Sequence, residues 1–324
     1  MPVFNEAAHL RATIDALAVA VEQSGWSAEL VLVDDGSTDG SADVALRAAN
    51  GRLPLRVLRQ PNSGRLGARR RGVGDARADL VLLLDGRVRI EPDALRFVRG
   101  RVEAGDRLWT SHVLVDSDSE LGAFWSLIAE LAWQDYFGDP RTTSFGIDAF
   151  DRYPKGTTCF LGRRDLLVDA FERFRSGYND ERHANDDTAV LRYLAAREDI
   201  HIGPHFACRY SPRESLASFF RHSIHRGVVF LDGHGRPDSR FFPAVVAFYP
   251  VSTGLLAVSL RRPAILPAVA AACGVGAAAL GIRAGRSRRE IRALALVTPV
   301  YAVGHALGMW KGLGLLIASK LSAR

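Results

Sequence analysis

Cysteine is nearly absent from this chain: Cys159, Cys208 and Cys273 are widely spaced and fall in no CxxC or Cys/His pattern. Such spacing indicates neither a disulfide framework nor a structural zinc site, and a reducing, cytosolic setting fits best. Lysine is scarce as well. The net charge of +6 is carried mostly by arginine, yet no basic stripe interleaved with aromatic residues occurs, which argues against nucleic acid as a partner. Anionic lipid or a phosphorylated substrate is the remaining counterpart of that charge. Nor does the chain open with a basic stretch followed by an apolar run, so no cleaved signal is read and the first domain is expected in the cytosol. Met1-Pro2-Val3-Phe4-Asn5-Glu6 reads instead as the end of a strand entering a helix, as though most of a first strand were missing.

What the chain does have is 324 residues, enough for about two domains and a substantial core. Leu10, Ile14, Leu17, Ala18 and Val21 recur at helical spacing, and Glu29 to Val33 is an apolar run closed by Asp34-Asp35-Gly36. Further helices are expected around Asp39 to Asn50 and Leu66 to Ala76, with strands at Leu55 to Leu58 and Leu80 to Leu84. Strands alternating with helices at this spacing predict an α/β fold with a mostly parallel central sheet. Ligands bind at the carboxyl ends of such strands, where Asp34, Asp35 and Asp85 fall. From about Glu103 to Tyr210 the pattern is mixed and is read as the acceptor half of the same domain. A helical pattern then runs through Ser218 to Arg226, ahead of a Gly-rich break at Gly233 to Gly235.

After this break the composition changes. Charges nearly vanish in Phe241 to Leu260, Pro263 to Ile282 and Ala293 to Ser319, each near the ~20 residues that cross a bilayer core. The third stretch carries His305 and Lys311 and is the least clear span; a hydrophobic hairpin packed in a soluble domain is the alternative. Arg283, Arg286, Arg288, Arg289 and Arg292 gather before it, and the positive-inside rule assigns that loop to the cytosol. Arg261 and Arg262 would then face outward, with Lys320 and Arg324 doing so too if the third stretch crosses. The expected division is a catalytic domain at 1–235 and a membrane-anchoring region at 236–324 with two to three transmembrane helices. The expected location is the cell membrane, multi-pass, with the catalytic domain cytosolic.

Three segments carry the chemistry: Pro2-Val3-Phe4-Asn5-Glu6, Val33-Asp34-Asp35-Gly36-Ser37-Thr38-Asp39, and Asn62-Ser63-Gly64-Arg65-Leu66-Gly67-Ala68-Arg69. A strand-end carboxylate accepts hydrogen bonds from a base N–H or ribose hydroxyl, and Gly36-Ser37 permits the turn that presents it. The same turn also suits a helix cap. In order and spacing these segments resemble family 2 inverting glycosyltransferases, strongly over the first ~100 residues and more weakly to about Arg226. The resemblance implies a GT-A fold and a nucleoside-diphosphate sugar held by Pro2, Phe4, Glu6, Asp34, Asp35 and Arg65.

Within that family Leu84-Asp85-Gly86-Arg87 stands where an Asp-x-Asp pair holds a divalent metal against the donor diphosphate. Here Arg87 replaces the second acid. Asp85 is left as the metal ligand for Mg²⁺ or Mn²⁺, which puts metal dependence in doubt, or Arg87 itself meets the diphosphate. A turn-forming Asp85 beside a solvated Arg87 is the plainer alternative. Asn185-Asp186-Asp187 is similar to the family's Glu-Asp segment, whose second acid is the catalytic base, so Asp187 is the candidate base with Asp186 beside it. Both also suit a helix N-terminus. Arg221-His222-Ser223-Ile224-His225-Arg226-Gly227 sits where processive relatives carry Gln-x-x-Arg-Trp, and only Arg226 matches. It is a candidate for the diphosphate or for a phosphate-bearing acceptor, and a basic helix face at the membrane surface is the alternative. Gly156 to Arg164 resembles the segment that lines the acceptor side of the cleft, with structural packing as the alternative. His201 and His205 are separated by Gly203-Pro204, which breaks a helix, and are not read as a metal pair.

The expected function is inverting transfer of a sugar from a UDP-, GDP- or dTDP-sugar to a membrane-associated acceptor. A glycolipid, a polyprenyl-linked glycan or a cell-surface polysaccharide precursor would serve. Two alternatives stand beside it: a polyprenyl-phosphate sugar synthase, whose phosphate acceptor needs no general base, and an inactive relative acting as a membrane scaffold.

Overall fold

The computed structural model describes residues 1–116, 118–213, 215–237 and 239–322. Strand β1 (Pro2–Val3) leads into α1 (Ala7–Ser24), whose Leu10, Ile14 and Leu17 share one buried face. β2 (Leu30–Asp34) is buried at every residue, as a strand covered on both faces requires. Then come α2 (Ser41–Ala49), β3 (Leu55–Arg59), α3 (Gly64–Asp75) and β4 (Leu80–Leu84), close to where the change of period expects them. β5 (Val88–Ile90), α4 (Ala94–Glu103), β6 (Trp109–Thr110) and β7 (His112–Val115) follow, with α5 (Glu120–Ala132), α6 (Gln134–Phe137) and β8 (Thr143–Phe145) after them. Next are β9 (Cys159–Arg163), α7 (Arg164–Arg173), α8 (Asp186–Ala195), β10 (Ile200–Ile202) and β11 (Ala207–Tyr210). Four helices complete the order: α9 (Leu216–His234), α10 (Phe242–Arg261), α11 (Ile265–Arg283) and α12 (Arg288–Ser322).

β1, β2 and β3 pair in parallel in that order, with Pro2 opposite Val33 and Leu30 opposite Leu55. Pairing beyond them is mixed. In the order β4-β9-β6-β10-β8, β9 runs antiparallel to β4 and β6, whereas β10 is parallel to β6. A third sheet, β5-β11-β7, again combines one antiparallel and one parallel pair. One core of Leu10, Ile14, Leu32, Leu84, Val88 and Trp109 lies under these strands. It fixes the strand ends that carry Asp34 and Asp85.

The described residues form two compact units. The first comprises Met1–Asp116, Trp133–Arg175 and Asp186–Ser211. The second holds α5, residues 176–185 and the described residues from 212 onward. Packing therefore does not divide at residue 235, and the stretch from Glu103 to Tyr210 is not of one piece. The reason is apolar: Phe124 and Leu127 of α5 and Phe219 of α9 share a core with Ala293, Leu294 and Val297 of α12.

In the second unit, α10, α11 and α12 are 20, 19 and 35 residues long, and each contains an 18-residue stretch of high mean hydropathy, 1.6, 2.1 and 1.4 in turn, long and apolar enough to cross a membrane. Three of the five clustered arginines meet α5 or the segment before it. Arg286 pairs with Glu130, Arg292 with Glu120 at 2.6 Å, and Arg289 reaches the Asp118 carbonyl. Part of the expected topological signal is thus an ion-pair clasp. Arg324 lies outside the described residues. Asp232, buried on α9, accepts the N–H groups of Gly177 at 2.7 Å and Asn185 at 2.8 Å and so ties down the ends of the 176–185 loop.

The departures from the processive pattern at Ser223 and Gly227 have a packing cause. Gly304, Gly308 and Gly312 recur every four residues on α12, and α9 presents Ser223 to Gly304, Gly227 to Gly308 and Leu231 to Gly312. A methyl group on Gly227 would run into the His305 carbonyl, and one on Gly308 into the Ile224 carbonyl. Small residues are what let two helix backbones approach this closely. Gly308→Ala is therefore expected to destabilise the chain by about 1–3 kcal/mol through overpacking. Gly314→Ala, on the same helix with nothing within 4 Å, should be neutral or slightly stabilising. Thermal unfolding of the two variants in one detergent checks the contrast, and equal melting temperatures would remove the close approach as an explanation.

Candidate active site

The site grows from the turns at the ends of β1 and β2 in the first unit. Asn5 adopts φ +53° and accepts the Thr38 N–H at 2.8 Å, while its own N–H donates to Ser37 Oγ at 3.0 Å. Ala7 N–H donates to Asp39 Oδ2 at 2.9 Å and Glu6 N–H to Ser41 Oγ at 2.9 Å. Slight burial pushes the Asp39 carboxyl up, but hydrogen bonds from Ser41 and Ala7 outweigh it and hold the group below the usual carboxylate range. The two motifs are thereby zipped together. Gly36, at φ +81°, passes close to the Asn62 N–H, an approach a side chain would obstruct.

Asp34 and Asp35 have different employments. Asp35 is buried and its carboxylate is occupied: Oδ1 accepts from Gln60 Nε2 at 2.7 Å and Ser63 N–H at 2.9 Å, and Oδ2 from Gly64 N–H at 2.8 Å. It caps the start of α3, so its side chain is a structural clamp rather than one free at a cleft. Asp34 accepts the Ser37 N–H at 2.9 Å through Oδ1, and among the described residues nothing bonds its Oδ2. Pro2 sits inside β1, Phe4 stands 48% exposed beside the turn, and Arg65 is exposed on the first turn of α3.

At the end of β4, Asp85 donates its N–H to the Thr158 carbonyl at 2.9 Å, and Thr13 Oγ1 holds the Gly86 carbonyl at 3.0 Å from α1. Arg87 directs Nε at Glu6 Oε1 over 2.9 Å, leaving its two Nη groups without a partner among the described residues. Glu6 is therefore the residue that orients Arg87.

Behind them is a residue that reading the motif for nucleotide contacts overlooks. Arg69, with 1% of its side chain exposed, reaches Asp85 at 2.8 Å, Asp186 at 2.6 Å and Asp187 at 3.1 Å. One guanidinium thus gathers three carboxylates from β4 and α8. Burial opposes the Arg69 charge, yet Asp85, Asp186 and Asp187 outweigh it and raise its proton affinity far above the ordinary value. Asp186 is equally buried; desolvation pushes its carboxyl up, against the pull of Arg69 and with the push of Asp187. Asp187 is the accessible member, 35% exposed, and its Oδ1 also accepts a hydrogen bond from Thr157 Oγ1. In the sequence Thr157 is marked only as part of the Gly156 to Arg164 segment. A signal for Arg69 did exist: it shares the apolar face of α3 with Leu66 and Val73, where a charge needs a partner.

The residues present do not fit a divalent ion caged by the protein. Among those described, no group of three or more His, Cys, Asp or Glu side chains converges as metal ligands. Asp85 offers one carboxylate, half committed to Arg69, and the second acid of the pair is Arg87. Arg226 belongs to the second unit, where its guanidinium lies 5.5 Å from the Trp125 ring centre.

The family model for Glycosyl transferase family 2 matches residues 1–171. An undecaprenyl-phosphate 4-deoxy-4-formamido-L-arabinose transferase of Aeromonas hydrophila is 34% identical over 113 residues, 34% of this chain and 35% of that protein. The match thus spans about a third of that relative's length. Among solved structures, S. aureus TarS in complex with UDP superposes with a TM-score of 0.54 at 17% identity, over 99% of this chain and 90% of that one. The Pyrobaculum calidifontis mannosyltransferase PcManGT, solved with GDP-Man and Mn²⁺, gives 0.55 at 17% identity over 95% and 85%. The fold is GT-A, and with more than half of its length matched by the family model the chain belongs to glycosyl transferase family 2.

Proposed function

We propose that this chain transfers a sugar, with inversion, from a nucleoside-diphosphate sugar to an acceptor held at a membrane, and that Asp187 is the base. The observation that carries the reading is the accessible Asp187 carboxylate, held by Arg69 and Thr157 in the same unit as the strand-end Asp34. Inverting transfer needs a carboxylate that removes the proton from the attacking hydroxyl opposite the leaving nucleotide. Asp34, with Phe4 beside the turn, serves the nucleoside; Pro2 and Asp35 hold the turns that present it. Arg65, at the start of α3, faces the phosphates. UDP in TarS and GDP-Man in PcManGT support a nucleotide donor here. The three apolar helices support a multi-pass membrane location, with the first unit in the cytosol.

Charge develops on the leaving diphosphate, and a cation has to meet it. Arg87 fills that role: Glu6 fixes its Nε end, and its Nη edge suits paired bonds to phosphate oxygens. Asp85 stays bound to Arg69 as part of the site's frame. A second reading, a polyprenyl-phosphate sugar synthase, is favoured by the name of the Aeromonas relative; its acceptor oxygen is already anionic and needs no base.

A transfer assay on the purified full chain tests this, run with a panel of nucleotide sugars and polyprenyl-linked acceptors in EDTA and in Mn²⁺. Sugar should pass to lipid in EDTA, and Arg87→Ala should lose at least about 100-fold in turnover, the scale of one lost charge-stabilising donor. Activity abolished by EDTA, with Arg87→Ala as native, would assign the cation to a metal on Asp85. Neither transfer nor donor hydrolysis would leave the scaffold reading.

A further inference from the structure

α12 is tied at both ends to segments of the second unit that leave the first unit and return to it. At its start, Arg286 pairs with Glu130, Arg292 with Glu120 at 2.6 Å, and Arg289 reaches the Asp118 carbonyl, all within the excursion Ser117–Ala132. Toward its end, Ser319 Oγ accepts the Asn179 N–H at 2.9 Å, while Leu316 lies against Gly177 and Gly312 against Tyr178, in the excursion Ser176–Asn185. Neither excursion can cross a bilayer and come back. An extended chain gains at most about 3.5 Å per residue, so Ser176–Asn185 extends less than about 20 Å from its own ends, short of a hydrocarbon core of about 30 Å. The other excursion is mostly α5, 13 residues of helix and so about 20 Å long. Both ends of α12 are therefore held on the side of the bilayer that the first unit occupies.

The middle of the helix agrees. α9 lies along Gly304, Gly308 and Gly312, and it carries Arg221, Arg226 and Asp232. A crossing α12 would draw those charges into the hydrocarbon, where they are costly. Protein buries 33% of the most apolar stretch of α12 but 11% in each of α10 and α11. What α12 leaves exposed is apolar and one-sided: Leu296, Val303, Leu307, Trp310, Ile317 and Leu321 follow one another at helical spacings of seven, four or three residues and share a face along the helix. A helix packed on protein on one side and apolar along the other suits the plane of a membrane, with its apolar face about 5–10 Å into the headgroup boundary. We propose that α12 lies in the membrane surface on the first unit's side and does not cross. Lys320 then stays on the side of the arginines that precede α12, as the positive-inside rule favours, and the crossings of the multi-pass reading rest on α10 and α11. This seating rests on the membrane location proposed above.

The test uses the full chain with Cys273→Ser, which leaves only the buried Cys159 and Cys208, in sealed vesicles of phosphatidylcholine and phosphatidylglycerol. Arg288→Cys and Ser322→Cys, at exposed positions near the two ends of α12, are introduced together. The vesicles are treated with a membrane-impermeant maleimide, and intact mass counts the adducts on each molecule. Whichever way a chain has inserted, it should carry two adducts or none, because both ends of α12 face one side. Molecules with a single adduct overturn the proposal. Spin labels on Leu296→Cys, Val303→Cys and Ile317→Cys should report one shallow depth of about 5–10 Å, and a maximum near the bilayer midplane at Val303 would overturn it as well. Melting temperatures close to that of the parent chain certify the fold. Alkaline carbonate separates the two readings. Release of the chain removes the membrane location and the seating of α12 with it, whereas retention with single adducts removes the seating alone and leaves the membrane location standing.

Discussion

Replacing Asp187 by Asn should lower the turnover of sugar transfer by about 10²- to 10⁴-fold, the range a positioned general base contributes. The amide keeps the size of the carboxylate and can still meet Thr157, so donor affinity and melting temperature should change little. What it loses is the ability to take the acceptor proton. Steady-state kinetics at saturating donor, alongside calorimetry of the nucleotide, separates the two effects. A fall in turnover with intact donor binding is the expected result. Turnover retained within a few-fold would remove Asp187 as base and favour attack by a lipid phosphate, which carries no proton to be taken.

The second large effect is expected at Arg69. Arg69→Met leaves Asp85, Asp186 and Asp187 facing one another without their shared cation, two of them with little water. Breaking a buried pair by removing one partner costs about 3–5 kcal/mol, and here one residue serves three. Arg69→Lys should fall between, because a single ammonium cannot span three carboxylates as a planar fork does. The deficit should depend on pH. Asp186 has a folded-state proton affinity raised above its unfolded value by burial, and without Arg69 the raise is larger. A carboxyl so raised binds more protons folded than unfolded, so stability falls as pH rises through that window and returns as pH drops. Arg69→Met should therefore recover part of its loss as the pH is lowered from neutral toward the ordinary carboxylate range. Thermal melts of both proteins across that range check the sign, and a deficit independent of pH would mean that repulsion among the acids is not its cause.

Much of the first unit was legible because its signals are local. The helical spacing from Leu10 to Val21 and the apolar runs before Asp34 and Asp85 demanded helix, strand and strand end, and those elements are present. Other features depended on what lies opposite. Asp35 reads like Asp34, yet its carboxylate is consumed by Gln60, Ser63 and Gly64 because the chain turns back there. α5 carries apolar residues of no obvious destination, and only its packing on α9 and α12 assigns it to the second unit.

Sequence alone determined the α/β order, the family motifs, the identity of Asp187 as the candidate base and the three apolar stretches, because periodicity and short motifs act within a few residues. Tertiary structure decided which charges meet. Arg69 lies 117 residues before Asp186 and 118 before Asp187, and no local rule pairs them. They meet because burying Leu66 and Val73 carries Arg69 inward on the same face of α3, where a charge persists only beside opposite charge. By the same logic Gly227 became a contact surface for Gly308 when α9 came to rest on α12, since only then did the space for a side chain vanish.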